Sequence, residues 1–534
     1  MKISRVLLYT IIVSLGGFIF GFDAIVISGT TSFLTNEFGL TDIELGFVVS
    51  APTLGAIIAT LSAGVISDAI GRRNLLIIIA FLYLLSAIAS ALASGYLMLV
   101  VARFIGGLAF CSLMIAPMYI AEIAQPEKRG RLVSINQLNI VIGLSVAFFS
   151  NYYLLQLSQS TADWAQQLGI TENVWRWMLG METLPALLWF IALFFIPKSP
   201  RWLMTKQREE EAKAVLNQLH GDNGVETELC RTELQNIRAT LTVNEPPIKQ
   251  RLRSLFDKKM HFALMIGVIV GIAQQATGVN AIYFYAPSIF EQSGIGTNAA
   301  FAQAIWLGLT NVVFTIVAML LIDKLGRKPL LIGGLSGVVL SMAVCAYGFG
   351  SATYQLDANN LDKLKQTMDV SALKEIQDVE FLSDVEYKNA VIERVGLAQF
   401  NLHQGELLKQ AANLNSTLIL LGILGFVASF AVSLGPVMWV MFSEIFPNAI
   451  RGIAISFVGV INSATSWFVQ FMFPWELANL GAATTFAIFG IFAVIGLFLV
   501  AKLFPETKGK TLEQLEVEFS QRSSSQKRRA EAVA

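Results

Sequence analysis

Runs of about 20 mostly apolar residues recur along the whole of this 534-residue chain, and a helix needs a run of that length to cross the hydrocarbon core of a bilayer. Lipid offers the backbone no hydrogen bonds, so a spanning segment has to be a helix or a strand of a closed barrel. Runs this long and unbroken read as helices. Twelve are placed, over 6–31, 45–67, 74–95, 98–122, 133–157, 177–197, 262–289, 299–322, 329–350, 414–443, 452–474 and 482–503. The chain is 54% hydrophobic and 14% charged, where a soluble domain carries about 25% charged residues. The predicted fold class is therefore an all-α integral membrane protein of twelve transmembrane helices. The start, MKISRVLLYTIIVSLGGFIFGFD, has the basic head and apolar run of a signal peptide but no small-residue cleavage site, so it reads as a retained first helix.

Charge sets the topology. The loops at 32–44, 158–174, 291–298 and 475–481 hold no Lys or Arg. The connections between them hold Arg72 and Arg73, then Lys128, Arg129 and Arg131, then Lys324, Arg327 and Lys328, then Arg451. By the positive-inside rule both termini are expected in the cytoplasm and the long polar segment 351–413 outside, since the rule weighs long loops weakly. Over the chain 38 basic residues balance 38 acidic ones, which argues against a nucleic-acid partner. Cys111, Cys230 and Cys345 form no CxxC pair and are expected as small buried thiols, not as a disulfide framework or metal site.

The chain also repeats itself. Asp68-Ala-Ile-Gly-Arg-Arg73 follows the second stretch and Asp323-Lys-Leu-Gly-Arg-Lys328 the eighth. Glu122 precedes Arg129-Gly130 by seven residues, and Glu444 precedes Arg451-Gly452 by the same seven. Two matched motifs per half indicate a six-plus-six duplication. The first pair is offset by 255 residues and the second by 322, so the second half has gained 67 residues between its two motifs. That gain coincides with 351–413, which reads as short amphipathic helices with an acidic excess: a solvated insertion, or alternatively a small lid or accessory subdomain. Residues 198–260 join the halves and carry helical charge patterning, as in KQREEEAKAVLNQL.

One ionisable residue interrupts the first stretch. Asp23 lies within GFIFGFDAIVISG (17–29), and a carboxylate at membrane depth costs on the order of a few kcal/mol even on the gentler insertion scales. Such residues face a cavity, pair with another charge, or carry protons and ions. The natural partner is Arg103, in LMLVVARFIGGLAF (97–110). Separating a carboxylate from a guanidinium in a low dielectric favours its protonation, so movement of the fourth helix against the first could load and release a proton. A static ion pair that fixes packing is the other reading. Gly17 and Gly21, and the Gly106-Gly107 pair, fit close helix packing.

Eight strings, in order, now carry a resemblance: GFDAIVISG (21–29), GVISDAIGRR (64–73), PMYIAEIAQPEKRGR (117–131), PKSPRWL (197–203), QQATGVNAIYFY (274–285), DKLGRKP (323–329), GPVMWVMFSEIFPNAIRG (435–452) and PETKGKTLEQLE (505–516). From Asp23 to Lys510, the 351–413 insertion aside, the chain resembles the sugar porters of the major facilitator superfamily, and most of all bacterial proton-coupled pentose and hexose symporters of the xylose–proton type. The resemblance implies two six-helix halves, 1–197 and 261–504, cytoplasmic linker helices over 198–260, and a cytoplasmic tail over 505–534.

It also implies a sugar site near the midplane between the halves. A sugar presents hydroxyls on a ring with apolar faces, so a selective site needs amides and aromatic faces. The matching positions are Gln137, Gln274, Gln275, Asn280, Asn311, Trp439 and Asn462. At helical spacing 275 and 279 share one face, while 274, 278 and 281 lie on an adjacent one. Amides that merely join helices are the alternative reading. Three positions depart from the close symporters: Ser463 stands where a second aromatic is usual, Phe284 where a tyrosine is common, and Leu144 where the xylose symporter has an amide. In the resembling symporters the aspartate at position 23 binds the proton, the arginine at 103 tunes it, and Glu182 matches a second intramembrane acid. Asp68, Arg72, Arg73, Glu122, Arg129, Arg131, Asp323, Arg327, Glu444 and Arg451 are expected to form an ionic cytoplasmic gate. Lys198 replaces the glutamate that usually opens the PESPR motif.

The expectation is a monomeric multi-pass carrier of the cell (inner) membrane that takes up a monosaccharide with protons by alternating access, its partners being the sugar, protons and the lipid bilayer. A passive uniporter for a sugar or polyol is the nearest alternative. A non-transporting sensor would carry a long signalling tail, and only residues 506–534 follow Pro505. No nucleophile–base set, metal cluster or GxxxxGK[ST] loop appears in the sequence, so neither an enzyme nor a cofactor or metal is expected.

Overall fold

The computed structural model describes residues 4–220, 228–241, 248–257, 260–447, 450–508, 510 and 514. Twelve helices are long and apolar enough to cross a membrane: α1 (Arg5–Gly29), α2 (Asp42–Ile70), α3 (Arg72–Ala91), α4 (Tyr96–Ile123), α5 (Glu127–Ser158), α6 (Val174–Phe195), α7 (His261–Phe284), α8 (Thr297–Ile322), α9 (Arg327–Gly350), α10 (Ser416–Phe442), α11 (Arg451–Asn479) and α12 (Gly481–Leu503). Each falls within several residues of its expected position, and local chemistry explains the shifts. Helix α2 starts at Asp42 because Thr41 and Glu44 form a reciprocal capping box: Thr41 N donates to Glu44 Oε2 at 2.9 Å and Glu44 N to Thr41 Oγ1 at 3.3 Å. The repeat motifs share a backbone device too. Gly71 (φ +90°) and Gly326 (φ +94°), each in a conformation that disfavours any side chain, turn the chain directly into α3 and α9.

The chain packs as two compact units. The first comprises 1–24, 51–147 and 179–250. Its core is built on Leu76, Ile79, Tyr83, Tyr119, Ile120 and Trp189, all fully buried. Helices approach closely where glycines allow it: a Cβ on Gly21 would lie 2.0 Å from the Ile140 carbonyl oxygen, and one on Gly107 the same distance from that of Pro52. In the linker, Pro200–Thr205 is capped by Ser199, whose hydroxyl accepts from Trp202 N at 3.2 Å, and Glu209–His220 follows it.

The second unit comprises 25–50, 148–178 and 251–534, with a core that includes Leu335, Val437, Phe442 and Val458. It holds the second-half helices together with the ends of α1, α2, α5 and α6 that lie farthest along those helices from the arginine motifs. The compact units therefore cut across the two sequence halves, for reasons visible in the contacts. Thr31 Oγ1 and Ser288 Oγ are 3.1 Å apart, Gln156 donates to Asn298 Oδ1 at 3.2 Å, and Asn298 donates to Gln159 Oε1 at 2.9 Å. A Cβ on Gly46 would come within 2.0 Å of the Phe471 carbonyl oxygen.

Segment 351–413 is folded. The expected short helices are present at Ala358–Leu364, Asp384–Val395 and Leu397–Ala411. They surround a three-stranded antiparallel sheet that the sequence does not announce, because strands of two or three residues are too short for alternation to register. Its order is β2-β1-β3, with β1 Thr353–Gln355, β2 Glu380–Phe381 and β3 Ala412–Asn413; Tyr354 pairs with Phe381 on one side and Ala412 on the other. Tyr354, Leu364, Leu373, Tyr387, Val391 and Leu407 form a core of its own. The insertion therefore has a folded core of its own.

Candidate functional site

Two polar clusters lie inside the helical units. The first is ionic and belongs to unit one. Arg103 on α4 and Asp23 on α1 are 2% and 0% exposed. Arg103 Nη1 donates to Asp23 Oδ1, and its Nη2 donates to the Asp23 carbonyl oxygen at 3.0 Å. Glu182 on α6, 1% exposed, lies in the electrostatic field of both. Two carboxyls thus share one guanidinium, and Asp23 Oδ2, Glu182 Oε1 and Arg103 Nε have no hydrogen-bond partner among the described residues. Gly106 brings α4 up to this cluster: a Cβ there would sit 2.5 Å from Ser86 Oγ and 3.5 Å from Asp23 Oδ2.

The second cluster is neutral and belongs to unit two. Helix α7 is interrupted by Gly278 at φ +84°, so the straight helical spacing expected through 274–281 fails beyond Thr277. The break folds Asn280 back, and its side-chain NH2 donates to Gln275 Oε1 at 3.0 Å and to Ser466 Oγ at 2.6 Å. Gln275 Nε2 reaches Gln274 Oε1 at 3.2 Å and Asn462 Oδ1 at 3.3 Å. Asn462 Nδ2 donates to Gln274 Oε1 and the Gly271 carbonyl, both at 2.8 Å, and Gln274 donates to the Leu434 carbonyl at 2.9 Å. Amides buried in an apolar bundle have to be paired, and these pair mostly with one another.

The charged end motifs form two further networks, each internal to its unit. Arg72 binds Asp68 at 2.9 Å and Glu122 at 3.0 Å, while Arg73 donates to the Phe194 carbonyl at 2.7 Å. Arg327 binds Glu444 through Nη2 at 2.7 Å and Nε at 3.1 Å, and Thr507 Oγ1 donates to Glu444 Oε2 at 2.7 Å. Glu506 accepts from the backbone amides of Arg327 and Lys328, at 3.1 Å each. Burial pushes the Glu506 carboxyl up, but the amides of Lys508, Arg327, Lys328 and Thr507 together hold it below the usual glutamate value. Arg451 donates to the Phe446 carbonyl at 3.1 Å. Arg129 and Arg131 are exposed, and the Asp323 side chain lies outside the described residues.

The family profile described as sugar (and other) transporter matches residues 9–366 and 396–519. This chain is a sugar porter of the major facilitator superfamily. Among its relatives are the arabinose-proton symporter of Bacillus subtilis (32% identical over 512 residues, 96% of this chain and 94% of that one) and the D-xylose-proton symporter of Escherichia coli K12 (31% over 549 residues, 96% and 95%). The inward open conformation of the xylose transporter XylE from E. coli superposes with a TM-score of 0.70 at 30% identity, covering 96% of this chain and 99% of that one.

In the porter, four expected site residues meet in one network: Gln274, Gln275, Asn280 and Asn462. Asn311 is buried on α8 and, among the described residues, its side chain is hydrogen-bonded by Thr315 at 3.5 Å. Trp439 on α10 is 49% exposed and packs edge-on against Phe442. Gln137 is exposed on α5 of unit one. Sequence reasoning missed Ser466 and Gln470, which extend the network: Gln470 Nε2 donates to Ser466 Oγ at 2.6 Å, and its carbonyl accepts from the Tyr285 hydroxyl at 3.1 Å. Their signal was the i, i+4, i+8 series 462, 466, 470 on one face of α11. The aromatic absent at Ser463 also recurs one turn on, where Trp467 stacks on Phe471 at 5.2 Å. The three cysteines are free and buried, and no cluster of three metal-ligating side chains occurs among the described residues.

Proposed function

We propose that this porter imports a monosaccharide, a hexose or pentose, together with protons by alternating access, in the cell (inner) membrane with both termini cytoplasmic. The observation that carries the reading is the Asp23–Arg103–Glu182 cluster. One guanidinium balances one of two buried carboxyls, and a proton completes the charge count. The carboxyl oxygens Asp23 Oδ2 and Glu182 Oε1 leave it a place to bind. The curated relatives named for proton symport of arabinose and xylose support the same conclusion.

The solute side of the function rests on the amide network, each member of which can exchange an internal partner for a sugar hydroxyl. Asn311 and Trp439 complete the proposed site of unit two, together with Ser466 and Gln470, and Gln137 is the proposed sugar contact within unit one. The broken α7 lets Asn280 move without unwinding the segment before Thr277. The working halves are 1–197 and 261–504, joined by 198–260 and ending in the tail 505–534, with the arginine–glutamate networks as the cytoplasmic gate of a monomeric carrier.

The test uses purified protein in liposomes holding a pH-sensitive dye, with pentoses, hexoses and polyols added outside and Asp23→Asn run in parallel. Sugar-triggered acidification of the lumen, absent in the variant, is the expected result. Labelled sugar uptake without a proton signal, unchanged in the variant, would make the protein a uniporter.

A further inference from the structure

The folded insertion 351–413 has no part in the transport chemistry above, yet it grips three separate places. Its Asp384 accepts from Ala482 N at 3.2 Å, fixing it to the start of α12. Its helix Leu397–Ala411 lies over the turn before α8: a Cβ on Gly405 would sit 2.6 Å from Thr297 Oγ1, and one on Gly296 would meet Lys409 Cδ at 2.9 Å. These two anchors are in the second half of the sequence, as is the insertion. The third is not. The same helix packs against Thr31–Phe38, which joins α1 to α2.

An unusual lysine sits beside the first anchor. Lys388 is 7% exposed, lies 3.7 Å from Asp384, and is attracted by Asp42 at the first residue of α2. Burial pulls its ammonium below the ordinary lysine value, and the carboxylates of Asp384 and Asp42 oppose that. A lysine this deep has to be paired; Asp384 is its ion-pair partner, and Asp42 of the first half of the chain adds a further attraction. The neighbouring seam joins the same two parts: Thr31 to Ser288, Gln156 and Gln159 to Asn298, and Phe47 to Phe471.

We propose that the 351–413 subdomain is a latch that holds the extracytoplasmic side of the carrier shut, through Leu397–Ala411 packed on Thr31–Phe38, with the Lys388–Asp384 pair on the side that faces Asp42 of the first half. Opening on that side parts 31–50 from 286–300, which separates Leu397–Ala411 from Thr31–Phe38 and weakens the attraction of Asp42 for Lys388. Loosening the latch then favours the state open to the outside. The assignment of this side as extracytoplasmic rests on the topology given under the proposed function; the latch itself rests on the packing of Leu397–Ala411 against Thr31–Phe38.

The experiment places Ser288→Cys, at the seam, in the full-length protein in proteoliposomes, where the three native cysteines are buried, and follows its reaction with a membrane-impermeant maleimide. Lys388→Met and Asp42→Asn should each speed labelling roughly three- to tenfold, the scale of one partly buried ion pair. The double variant should be no faster than either single one, and Lys388→Arg should stay near the parent. Asp42 lies outside the subdomain, so its variant cannot act by unfolding it. Unchanged rates, or single effects that multiply in the double variant, would overturn the latch. Labelling of position 288 only by reagent trapped in the lumen of right-side-out vesicles would overturn the topology instead, and the variant ratios would still judge the latch.

Discussion

Arg72 and Arg327 occupy equivalent places in the two halves, and their surroundings match closely. Each reaches a glutamate of the following helix end, Glu122 or Glu444, and each turns Nη1 back to the carbonyl five residues earlier, at 3.3 Å in both. Inside each half the likeness stops. The first half buries two carboxyls and a guanidinium; the second buries uncharged amides. Duplication kept the ends, where backbone geometry constrains the side chains, and let the middles take different chemistry. Charged groups suit a cation of no size, and amides suit a neutral solute rich in hydroxyls. The ends differ at one point. Glu506 caps α9, whereas Lys198 in the matching PKSPR string pairs with Glu211 at 3.9 Å, and the indole of Trp202 lies against Gly71 instead.

The sharpest way to break this division is Asp23→Asn. Proton-driven accumulation should fall by about 100-fold or more, with sugar exchange at equal concentrations retained, because only the ionic half is touched. Asn462→Ala should do the converse. It strips partners from Gln274 and Gln275, and half-saturation should rise by roughly 10- to 100-fold at unchanged proton stoichiometry. If either variant produced the other's phenotype, the middles would not be specialised.

A smaller effect is expected at Glu291, 5% exposed beneath Leu397–Ala411 and hydrogen-bonded to Thr297. Burial pushes its carboxyl from the ordinary 4.5 up to about 7. The packed form thus holds the proton more tightly than the opened one, so Glu291's stabilising contribution is complete below pH 4.5 and is lost as pH rises through 7. Glu291→Gln should flatten the pH dependence of thermal unfolding across that window and leave the protein more stable above it, by on the order of one to a few kcal/mol. Smallest is Lys198→Glu. Restoring a carboxylate near the start of α3 should add about 0.5–1 kcal/mol to thermal stability in detergent; no gain would mean that Trp202 has replaced the cap.

Much of this was legible in the sequence because membrane crossing leaves few options. Helix count, the duplication and the Asp23–Arg103 pair all follow from where apolar runs stop and where charges interrupt them. What escaped depends on three-dimensional closure. Gly278 reads as an ordinary helix position until its φ is known, so the fold-back of Asn280 onto Ser466 could not be foreseen. The sheet in 351–413 is too short to pattern. That 25–50 and 148–178 pack with the second half depends on the conformation adopted, which a linear pattern does not encode.

Gly278 also has a meaning for protein engineering. At φ +84°, with Phe489 2.5 Å from where a Cβ would sit, it meets two independent barriers to every other amino acid. A mutational library aimed at altered solute preference should hold that codon fixed. Leu144, Phe284 and Ser463, the departures expected from the sequence, are the positions to randomise.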